Sequence, residues 1–330
     1  MRGSTIAGIG HYLPERILTN AEMEQLVDTT DEWIVTRTGI RERRVAAPEQ
    51  ASSDLAYEAA REAMADAGVS AADLDLIIVG TATPDMLFPA TACILQDRLG
   101  ASRAGAFDLS AACSSWVYAS AVAHGYVSAG LAETVLVVGA ETLSKITNYK
   151  DRSTCVLFGD SAGAAVIRPA GPGDGFLSFH LGADGAGGPL IALPAGGSRL
   201  PASFETVERG QHYLQMSGRE VYKFAVRIIP RAIEEAVERA GLRLQQIDWF
   251  IPHQANIRII DAAAERLGQP REKFYVNVER FGNTSSASVP VALYEAVRSG
   301  RLRPGQLAVL VAFGGGLTWA SCAIRWTRPA

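Results

Sequence analysis

Two stretches of the chain match each other without a gap: AMADAGVSAADLDLIIVG, residues Ala63–Gly80, and AVERAGLRLQQIDWFIPH, residues Ala236–His253. They are equal in length and align from end to end. Each stretch has the pattern of an amphipathic helix that stops at a glycine, Gly68 or Gly241, and is followed by a short loop and an apolar strand. The match continues into later helices and strands, so the sequence predicts an internal duplication.

Helices that alternate with apolar strands are typical of α/β proteins, in which parallel sheets are covered by helices. The duplication therefore predicts two similar α/β halves. We assign residues 1–170 to the first half and residues 216–330 to the second. Residues 171–215 lie between them and are rich in glycine and proline, which predicts a long excursion with a functional role.

The composition is that of a globular protein of 330 residues, with 48% hydrophobic residues, 20% charged residues and a net charge of −4. The chain has no basic block, which argues against nucleic-acid binding. Its apolar stretches are far shorter than the roughly 20 residues that a membrane span requires, and no signal peptide is predicted. Four widely spaced cysteines without a CxxC pair predict neither a disulfide framework nor a metal site. We therefore expect a cytoplasmic enzyme.

Cys113 is the candidate nucleophile. It lies in DLSAACSSWVYA, between a predicted strand at Ala106–Leu109 and a predicted helix at Ser114–Ser128. A cysteine at the start of a helix is close to the positive end of the helix dipole and to free backbone N–H groups. Both favour the thiolate, so we expect a lowered pKa. The alternative is a small buried side chain without a chemical role.

His253 and Asn283 are the candidate partners of this thiol. His253 directly follows an apolar strand, and thiol chemistry often uses a histidine. Two predicted helices follow Cys113 and Asn283, and they end at Gly130 and Gly300. The interval from Cys113 to Asn283 equals the interval between these two glycines. The duplication therefore predicts that Cys113 and Asn283 begin equivalent helices. Because sites in α/β folds form at strand carboxyl ends and helix amino termini, the three side chains can converge. The alternatives are a structural histidine and an asparagine that caps a helix.

The segment GDSAG, Gly159–Gly163, matches the nucleophile elbow of serine hydrolases, in which Ser161 would be the nucleophile. An elbow requires a strand, a sharp turn and then a helix. The sequence instead predicts strands on both sides, at Thr154–Phe158 and Ala164–Ile167, so a tight turn fits better. The glycine-rich run FGGGLTW, Phe313–Trp319, lacks the GxGxxG spacing of a dinucleotide site.

Several long segments of the chain occur together in one family. They are TDEWIVTRTGIRERR (Thr30–Arg44), the AAC segment that ends at Cys113, FGDSAGAAV (Phe158–Val166), PHQANIRI (Pro252–Ile259), FGNTSSAS (Phe281–Ser288) and FGGGLTW. Through them, nearly the whole chain resembles β-ketoacyl-[acyl-carrier-protein] synthase III, a condensing enzyme that starts fatty-acid chains. The resemblance implies a thiolase-like fold of duplicated α/β halves that form a layered αβαβα sandwich.

The resemblance also implies a reaction. An acyl group from acyl-coenzyme A would be joined to malonyl-[acyl-carrier-protein] with loss of CO₂, giving 3-oxoacyl-[acyl-carrier-protein]. The coenzyme A thioester would be a substrate, and no further cofactor is implied. Cys113 would carry the acyl group, and His253 and Asn283 would act on the malonyl thioester. The backbone N–H groups of Cys113 and Gly315 would form the oxyanion hole.

The remaining contacts that the resemblance implies fall into three groups. They are contacts with coenzyme A at Trp33, Arg37, Arg152 and Asn256, with the carrier protein at Gln254, Ala255, Asn256, Ile257 and Arg258, and with the acyl group at Phe88, Trp116 and Phe313. A homodimer is implied, in which Phe88 of the partner subunit closes the acyl pocket. Trp116 follows Cys113 by about one helical turn and is expected to face the acyl chain, so two large rings predict a short primer.

Two segments depart from the family's pattern, Ser114–Trp116 and residues 171–215, and both lie where the family shapes its acyl pocket. A starter-unit synthase III of a polyketide or other secondary-metabolite pathway therefore stays an alternative. So does a catalytically silent partner subunit, although the intact cysteine, histidine and asparagine argue against it.

Overall fold

The computed structural model describes residues 2–328 of the chain. The first part contains β1 (Gly3–Tyr12), β2 (Arg16–Thr19), α1 (Asn20–Leu26), α2 (Asp31–Thr38), β3 (Glu42–Val45), α3 (Ser52–Ala67), β4 (Leu76–Gly80), α4 (Thr91–Leu99), β5 (Gly105–Leu109), α5 (Ser115–Ser128), β6 (Val135–Glu141), α6 (Arg152–Cys155) and β7 (Ser161–Ala170). The second part contains β8 (Gly175–Ala183), β9 (Ile191–Ala192), α7 (Phe204–Glu208), β10 (Gln215–Met216), α8 (Gly218–Arg239), β11 (Trp249–Pro252), α9 (Ile257–Leu267), α10 (Val278–Phe281), α11 (Ser288–Arg298), β12 (Leu307–Gly314) and β13 (Thr318–Arg325).

Two sheets form the framework, the first with strand order β1-β7-β6-β4-β5 and the second with order β11-β12-β13-β8. In each sheet a parallel set, β5-β4-β6 or β11-β12, continues into two antiparallel strands, β7 and β1 or β13 and β8. The expectation of parallel sheets is therefore correct for these sets and wrong for the strands that follow them. In the second sheet the reason is that β13 follows β12 through a short hairpin, which can join only antiparallel strands.

Helices and sheets alternate in five layers. Helix α3 packs on the outer face of the first sheet and α8 on the outer face of the second, while α5 and α11 lie between the sheets and contact strands of both. Strands β4 and β6 are buried along their whole length, as expected for strands that are covered on both faces. The αβαβα sandwich predicted from the sequence is thus confirmed.

The duplication is visible in the structure at the spacing that the sequence predicts. The interval from the start of β4 to the start of β11 equals the interval from the start of α5 to the start of α11. The two matching stretches of sequence are separated by the same number of residues. The predicted excursion at 171–215 is shorter than expected, because its residues Gly175–Ala183 form β8 and pair with β13. This strand has the position in the second sheet that β1 has in the first.

A charged cluster ties the two halves together outside the core. Asp66 on α3 accepts hydrogen bonds from the backbone N–H of Ile9 and from the guanidinium groups of Arg298 and Arg328. Burial raises the pKa of Asp66, but these donors outweigh it and hold the pKa below its ordinary value. The ionised carboxylate therefore joins α3 of the first half to α11 and to the carboxyl-terminal segment.

Candidate active site

Cys113 lies in a 3₁₀ turn, Ala112–Ser114, directly before α5. The turn depends on a left-handed backbone at Ala112, whose φ is 47°. Ser285 has the same φ of 47° and is the counterpart of Ala112 in the duplication, in the 3₁₀ turn that precedes α11. The structural counterpart of Cys113 is therefore Ser286. The prediction that Cys113 and Asn283 begin equivalent helices is wrong, because Asn283 precedes the position equivalent to Cys113 by almost a full helical turn.

Asn283 is nevertheless held firmly, by backbone bonds to the first half. Its N–H donates to the carbonyl oxygen of Leu157 at 2.8 Å, and its carbonyl oxygen accepts from the N–H of Gly159 at 3.0 Å. Its side-chain Oδ1 accepts from the N–H of Ser285 at 2.9 Å. Because Oδ1 is occupied in this way, the Nδ2 amide group of Asn283 is the part that can donate to a ligand.

His253 lies at the carboxyl end of β11, where the duplication places it. Its N–H donates to the carbonyl oxygen of Val311 at 2.7 Å. Nδ1 of the ring is 2.5 Å from Oγ of Ser288, and the ring packs edge-on against Phe313 with 5.4 Å between centroids. With Nδ1 occupied by Ser288, Nε2 is the ring nitrogen available to a ligand.

One cavity of about 300 Å³ brings the three candidate residues together. Cys113, His253 and Asn283 line it, and so do Phe313 and Gly315. Its other lining residues include the partly exposed Trp33 and the exposed Arg37, so the cavity connects the protein surface with the buried residues His253 and Asn283. The volume is in the range of small-molecule sites.

The glycine-rich run lies directly against the nucleophile turn. A Cβ atom on Gly314 would lie only 2.6 Å from the backbone nitrogen of Cys113, so no other residue fits there without displacing the turn. The hydroxyl of Thr318 donates to the carbonyl oxygen of Ala111 at 2.8 Å and lies 3.1 Å from that of Gly315. This arrangement places Gly315 beside Cys113, on the wall of the same cavity.

The expectation of a lowered thiol pKa is wrong. Burial raises the pKa of Cys113 to about 12, and the negative charge of Glu141 acts in the same direction. The hydroxyl of Ser285 favours the thiolate but does not outweigh burial. The helix dipole loses this competition because the half-buried thiol of Cys113 faces a mainly apolar cavity, where an unpaired charge is poorly solvated.

The other ionisable groups near the thiol are also shifted toward their neutral forms. Burial lowers the pKa of His253 to about 3, so the imidazole is neutral at physiological pH. Burial also raises the pKa of Glu141 above its ordinary value, against the effect of hydrogen bonds from Thr83 and Ser286. The site therefore offers neutral hydrogen-bond donors and a neutral thiol at rest.

The residues predicted to contact coenzyme A gather at the outer end of the cavity. The Cζ atoms of Arg37 and Arg152 each lie 5.0 Å from the centroid of the Trp33 ring. A base stacked between Trp33 and Arg152 would need about 7 Å, so Arg152 must move outward to admit it. Asn256 lines the cavity, and its Nδ2 donates to the carbonyl oxygen of Arg37 at 3.0 Å.

The segment predicted to contact a carrier protein is only partly accessible. Gln254 is buried, and both ends of its side chain are hydrogen-bonded inside the protein, including bonds to the carbonyl oxygens of Pro252 and Tyr275. It therefore cannot contact a partner, contrary to the prediction. Ala255, Asn256 and Ile257 are half-buried, and Arg258 is exposed.

The three residues predicted to shape the acyl pocket have three different positions. Phe313 lines the cavity. Phe88 is 84% exposed, on a loop with the exposed Leu87, and does not line the cavity of its own chain. Trp116 is fully buried in the core between the sheets and does not line the cavity either, so its predicted contact with the acyl chain is wrong. The one-turn argument fails because Cys113 lies in the 3₁₀ turn and α5 begins only at Ser115.

Ser161 is not a nucleophile. It begins β7, is fully buried, and is followed by a strand rather than a helix. The rejection of the serine-hydrolase elbow is thus confirmed, although the predicted strand at Thr154–Phe158 is wrong. That segment contains the last two residues of the one-turn helix α6 and a turn, and a single parallel bridge joins Phe158 to Asn283.

Four positions near the site were missed by the sequence analysis: Glu141, Ser285, Ser288 and Thr318. Glu141 has a signal in the sequence, since it ends an otherwise apolar strand, VLVVGAE. The two serines have no comparable signal, because serine is common at helix starts for local reasons. Thr318 has none either, because it begins β13 and threonine is common in strands.

Comparison with known proteins identifies the class of this site. A family model for 3-oxoacyl-[acyl-carrier-protein] synthase III matches residues 107–185, and the model for its carboxyl-terminal part matches residues 237–326. The β-ketoacyl-[acyl-carrier-protein] synthase III of Symbiobacterium thermophilum is 58% identical over 323 residues, which cover 98% of both chains. These matches define a condensing enzyme of the thiolase fold.

Solved structures agree with the sequence matches. The synthase III of Thermus thermophilus is 51% identical with a TM-score of 0.90, over 98% of this chain and 99% of that one. The priming β-ketosynthase of the R1128 polyketide pathway is 39% identical with a TM-score of 0.91, over 100% of this chain and 98% of that one. The chain belongs to the β-ketoacyl-[acyl-carrier-protein] synthase III family. It is an acyltransferase of fatty-acid biosynthesis.

Within residues 2–328, no helix is both long and apolar enough to cross a membrane.

The raised pKa of Cys113 predicts a particular pH dependence of its alkylation. Only the thiolate reacts with iodoacetamide, so the rate at Cys113 should rise about tenfold for each pH unit from pH 7 to 9.5, without a plateau. Ser285→Ala should lower the rate at every pH, because it removes a donor that favours the thiolate. Peptide mass spectrometry would separate Cys113 from the exposed Cys93. A plateau below pH 7 would show that the resting thiol is already ionised and would contradict the effect of burial.

Proposed function

We propose that the chain condenses a short acyl group from acyl-coenzyme A with malonyl-[acyl-carrier-protein], releasing CO₂ and forming 3-oxoacyl-[acyl-carrier-protein]. One observation carries this proposal: a thiol from the first half and two neutral donors from the second half line one cavity. A thiol can store an acyl group as a thioester, and neutral donors can stabilise an enolate without repelling the leaving CO₂.

The first half-reaction is an acyl transfer. Sγ of Cys113 attacks the thioester carbon of acyl-coenzyme A, and the N–H groups of Cys113 and Gly315 stabilise the oxyanion that forms. The bond to the coenzyme A sulfur then breaks. The proton lost by the Cys113 thiol ends on the departing coenzyme A thiol, so the step consumes and releases no proton overall.

The second half-reaction is the condensation. Malonyl-carrier protein loses CO₂, and Nε2–H of His253 and Nδ2–H of Asn283 donate to the thioester oxygen as it becomes an enolate oxygen. The enolate carbon attacks the acyl group on Cys113, the bond to Sγ breaks, and Sγ takes up one proton. Phe313 beside His253 keeps water away from the carboxylate that is lost.

We also propose that this chemistry requires no metal and no cofactor beyond the coenzyme A thioester of the substrate. Each charge that develops has a backbone N–H or neutral side-chain donor near it, so no further electrophile is needed. Initiation of fatty-acid chains is favoured over a polyketide pathway, since the relative at 58% identity is a synthase III and the polyketide-priming structure is 39% identical.

The two half-reactions separate the proposed roles. Cys113→Ala should accept no acyl label from acetyl-coenzyme A. His253→Ala and Asn283→Ala should still be acylated but should decarboxylate malonyl-carrier protein about 100- to 1,000-fold more slowly, because each loses one enolate donor. Mass spectrometry of the intact protein and release of ¹⁴CO₂ measure the two steps. Acylation at Cys155 or Ser161, or normal CO₂ release from both variants, would contradict the proposal.

We propose that the carrier protein docks beside Arg258, next to the outer end of the cavity. The guanidinium group of Arg258 lies over the ring of Tyr222 at 5.6 Å, and Tyr222 lines the cavity. Further exposed cations lie on α8 and α9, namely Arg219, Lys223, Arg227 and Arg266, of which Lys223 is paired with Glu220. Carrier proteins are acidic, so this surface fits them by charge.

Arg258→Glu should raise KM for malonyl-carrier protein several-fold and leave acylation by acetyl-coenzyme A nearly unchanged, because it reverses an exposed charge. The effect should shrink as salt is added. Arg61→Glu makes the same charge change on the opposite outer layer and serves as the control. An equal loss in both half-reactions would mean that Arg258 serves coenzyme A binding or the fold.

We further propose that the protein is a homodimer in which Phe88 of the partner subunit limits the primer length. Strand β5 is an edge of the first sheet, and an edge strand is a ready site for pairing. Met86, Leu87 and Phe88 expose apolar surface beside a groove of about 600 Å³. Ala82 lines both this groove and the active-site cavity, so a ring that enters the groove can approach the acyl group.

Sedimentation equilibrium at micromolar concentration should give twice the chain mass of 35.1 kDa. Phe88→Thr should shift turnover toward longer acyl-coenzyme A primers by about tenfold, because overpacking by a ring costs roughly 1–3 kcal/mol. Leu131→Thr, an exposed apolar residue outside this loop, is the control. A monomer, or a wild-type preference for dodecanoyl- over acetyl-coenzyme A, would contradict the proposal.

A further inference from the structure

Among residues 2–328, the imidazole of His253 has a single side-chain hydrogen-bond partner, the hydroxyl of Ser288. The two atoms, Nδ1 and Oγ, are 2.5 Å apart, and both residues are buried, with 1% and 2% exposure. Ser288 is the first residue of α11 and does not line the cavity. Its contact is therefore with the histidine and not with a ligand.

The direction of this hydrogen bond follows from counting hydrogens. The backbone N–H of Gln254 points at Oγ of Ser288 from 3.4 Å, so Oγ acts as an acceptor there. Within the described chain, the hydroxyl hydrogen of Ser288 has no acceptor other than Nδ1 of His253. The opposite direction, with Nδ1–H donating, would leave a buried hydroxyl hydrogen unsatisfied, which costs free energy.

The side chain of Gln254 holds the backbone N–H group of the same residue in place. Its Nε2 donates to the carbonyl oxygens of Pro252 and Tyr275 at 2.7 and 3.1 Å. Its Oε1 accepts from the N–H groups of Asn277 and Val278 at 3.0 and 3.2 Å. The side chain thus uses its full hydrogen-bonding capacity to fix the backbone next to His253.

We propose that Ser288 is a positioning residue that sets the tautomer of His253, with the proton on Nε2. This inference deepens the proposed function and rests on it, since Nε2–H is the group that would donate to the malonyl thioester oxygen. A neutral imidazole can donate from only one nitrogen, and the hydrogen bond at the other nitrogen decides which one. The same assignment means that His253 has no free lone pair with which to accept the proton of Cys113.

The tautomer can be measured directly by NMR of the full-length protein labelled with ¹⁵N-histidine. The chain has five histidines, and the spectrum of His253→Gln identifies the signal of His253. The wild type should show protonated Nε2 and unprotonated Nδ1. Ser288→Ala should show a mixture of both tautomers, and Ser288→Thr, which keeps a hydroxyl, should restore the wild-type pattern.

The half-reactions provide the second measurement. Ser288→Ala should slow release of CO₂ from malonyl-carrier protein roughly 10- to 100-fold, as expected when the group that orients a functional histidine is removed. Acylation by acetyl-coenzyme A should stay within twofold. Ser299→Ala removes a hydroxyl at the other end of α11 and should change neither step.

A wild-type spectrum with protonated Nδ1 would overturn the proposal, and so would a Ser288→Ala protein that releases CO₂ at the wild-type rate. A wild-type protein that fails to decarboxylate malonyl-carrier protein would instead overturn the proposed function. The NMR result would still decide the tautomer in that case, so the two failures are distinguishable.

Discussion

Two backbone contacts that leave no room for a side chain hold the site together. A Cβ atom on Gly314 of β12 would lie 2.6 Å from the nitrogen of Cys113, and one on Gly139 of β6 would lie 2.6 Å from the carbonyl oxygen of Ser286. Strand β12 of the second half thus supports the turn at Cys113, and strand β6 of the first half supports the turn at Ser286. The functional atoms are fixed by backbone contact, which gives the precise placement that catalysis requires.

The same burial that fixes these turns determines their chemistry. The left-handed conformations at Ala112 and Ser285 each cost about 1–3 kcal/mol, which the surrounding structure must offset. Burial keeps Cys113 and His253 neutral at physiological pH. A neutral donor set suits the formation of an enolate next to a departing carboxylate, because neutral donors hold the carboxylate less tightly than a fixed cation would.

Much of this architecture could be predicted from the sequence, because the internal repeat established the equivalence of β4 with β11 and of α5 with α11. The convergence of Cys113 with His253 followed from a helix start and a strand end, whereas Asn283 lines the same cavity although its predicted equivalence to Cys113 is wrong. The errors arose where tertiary contacts decide. Trp116 lies in the core because the helix begins after the 3₁₀ turn. Gln254 can be buried because the carbonyl groups of Pro252 and Tyr275 accept hydrogen bonds from its side chain.

The layering of the helices links folding to activity. Helix α5 comes from the first half and α11 from the second, yet each packs on strands of both sheets. A nascent chain that has emerged only as far as β7 carries Cys113 but neither His253 nor Asn283. The cavity that these three residues line therefore exists in full only after both halves have been synthesised and have packed together.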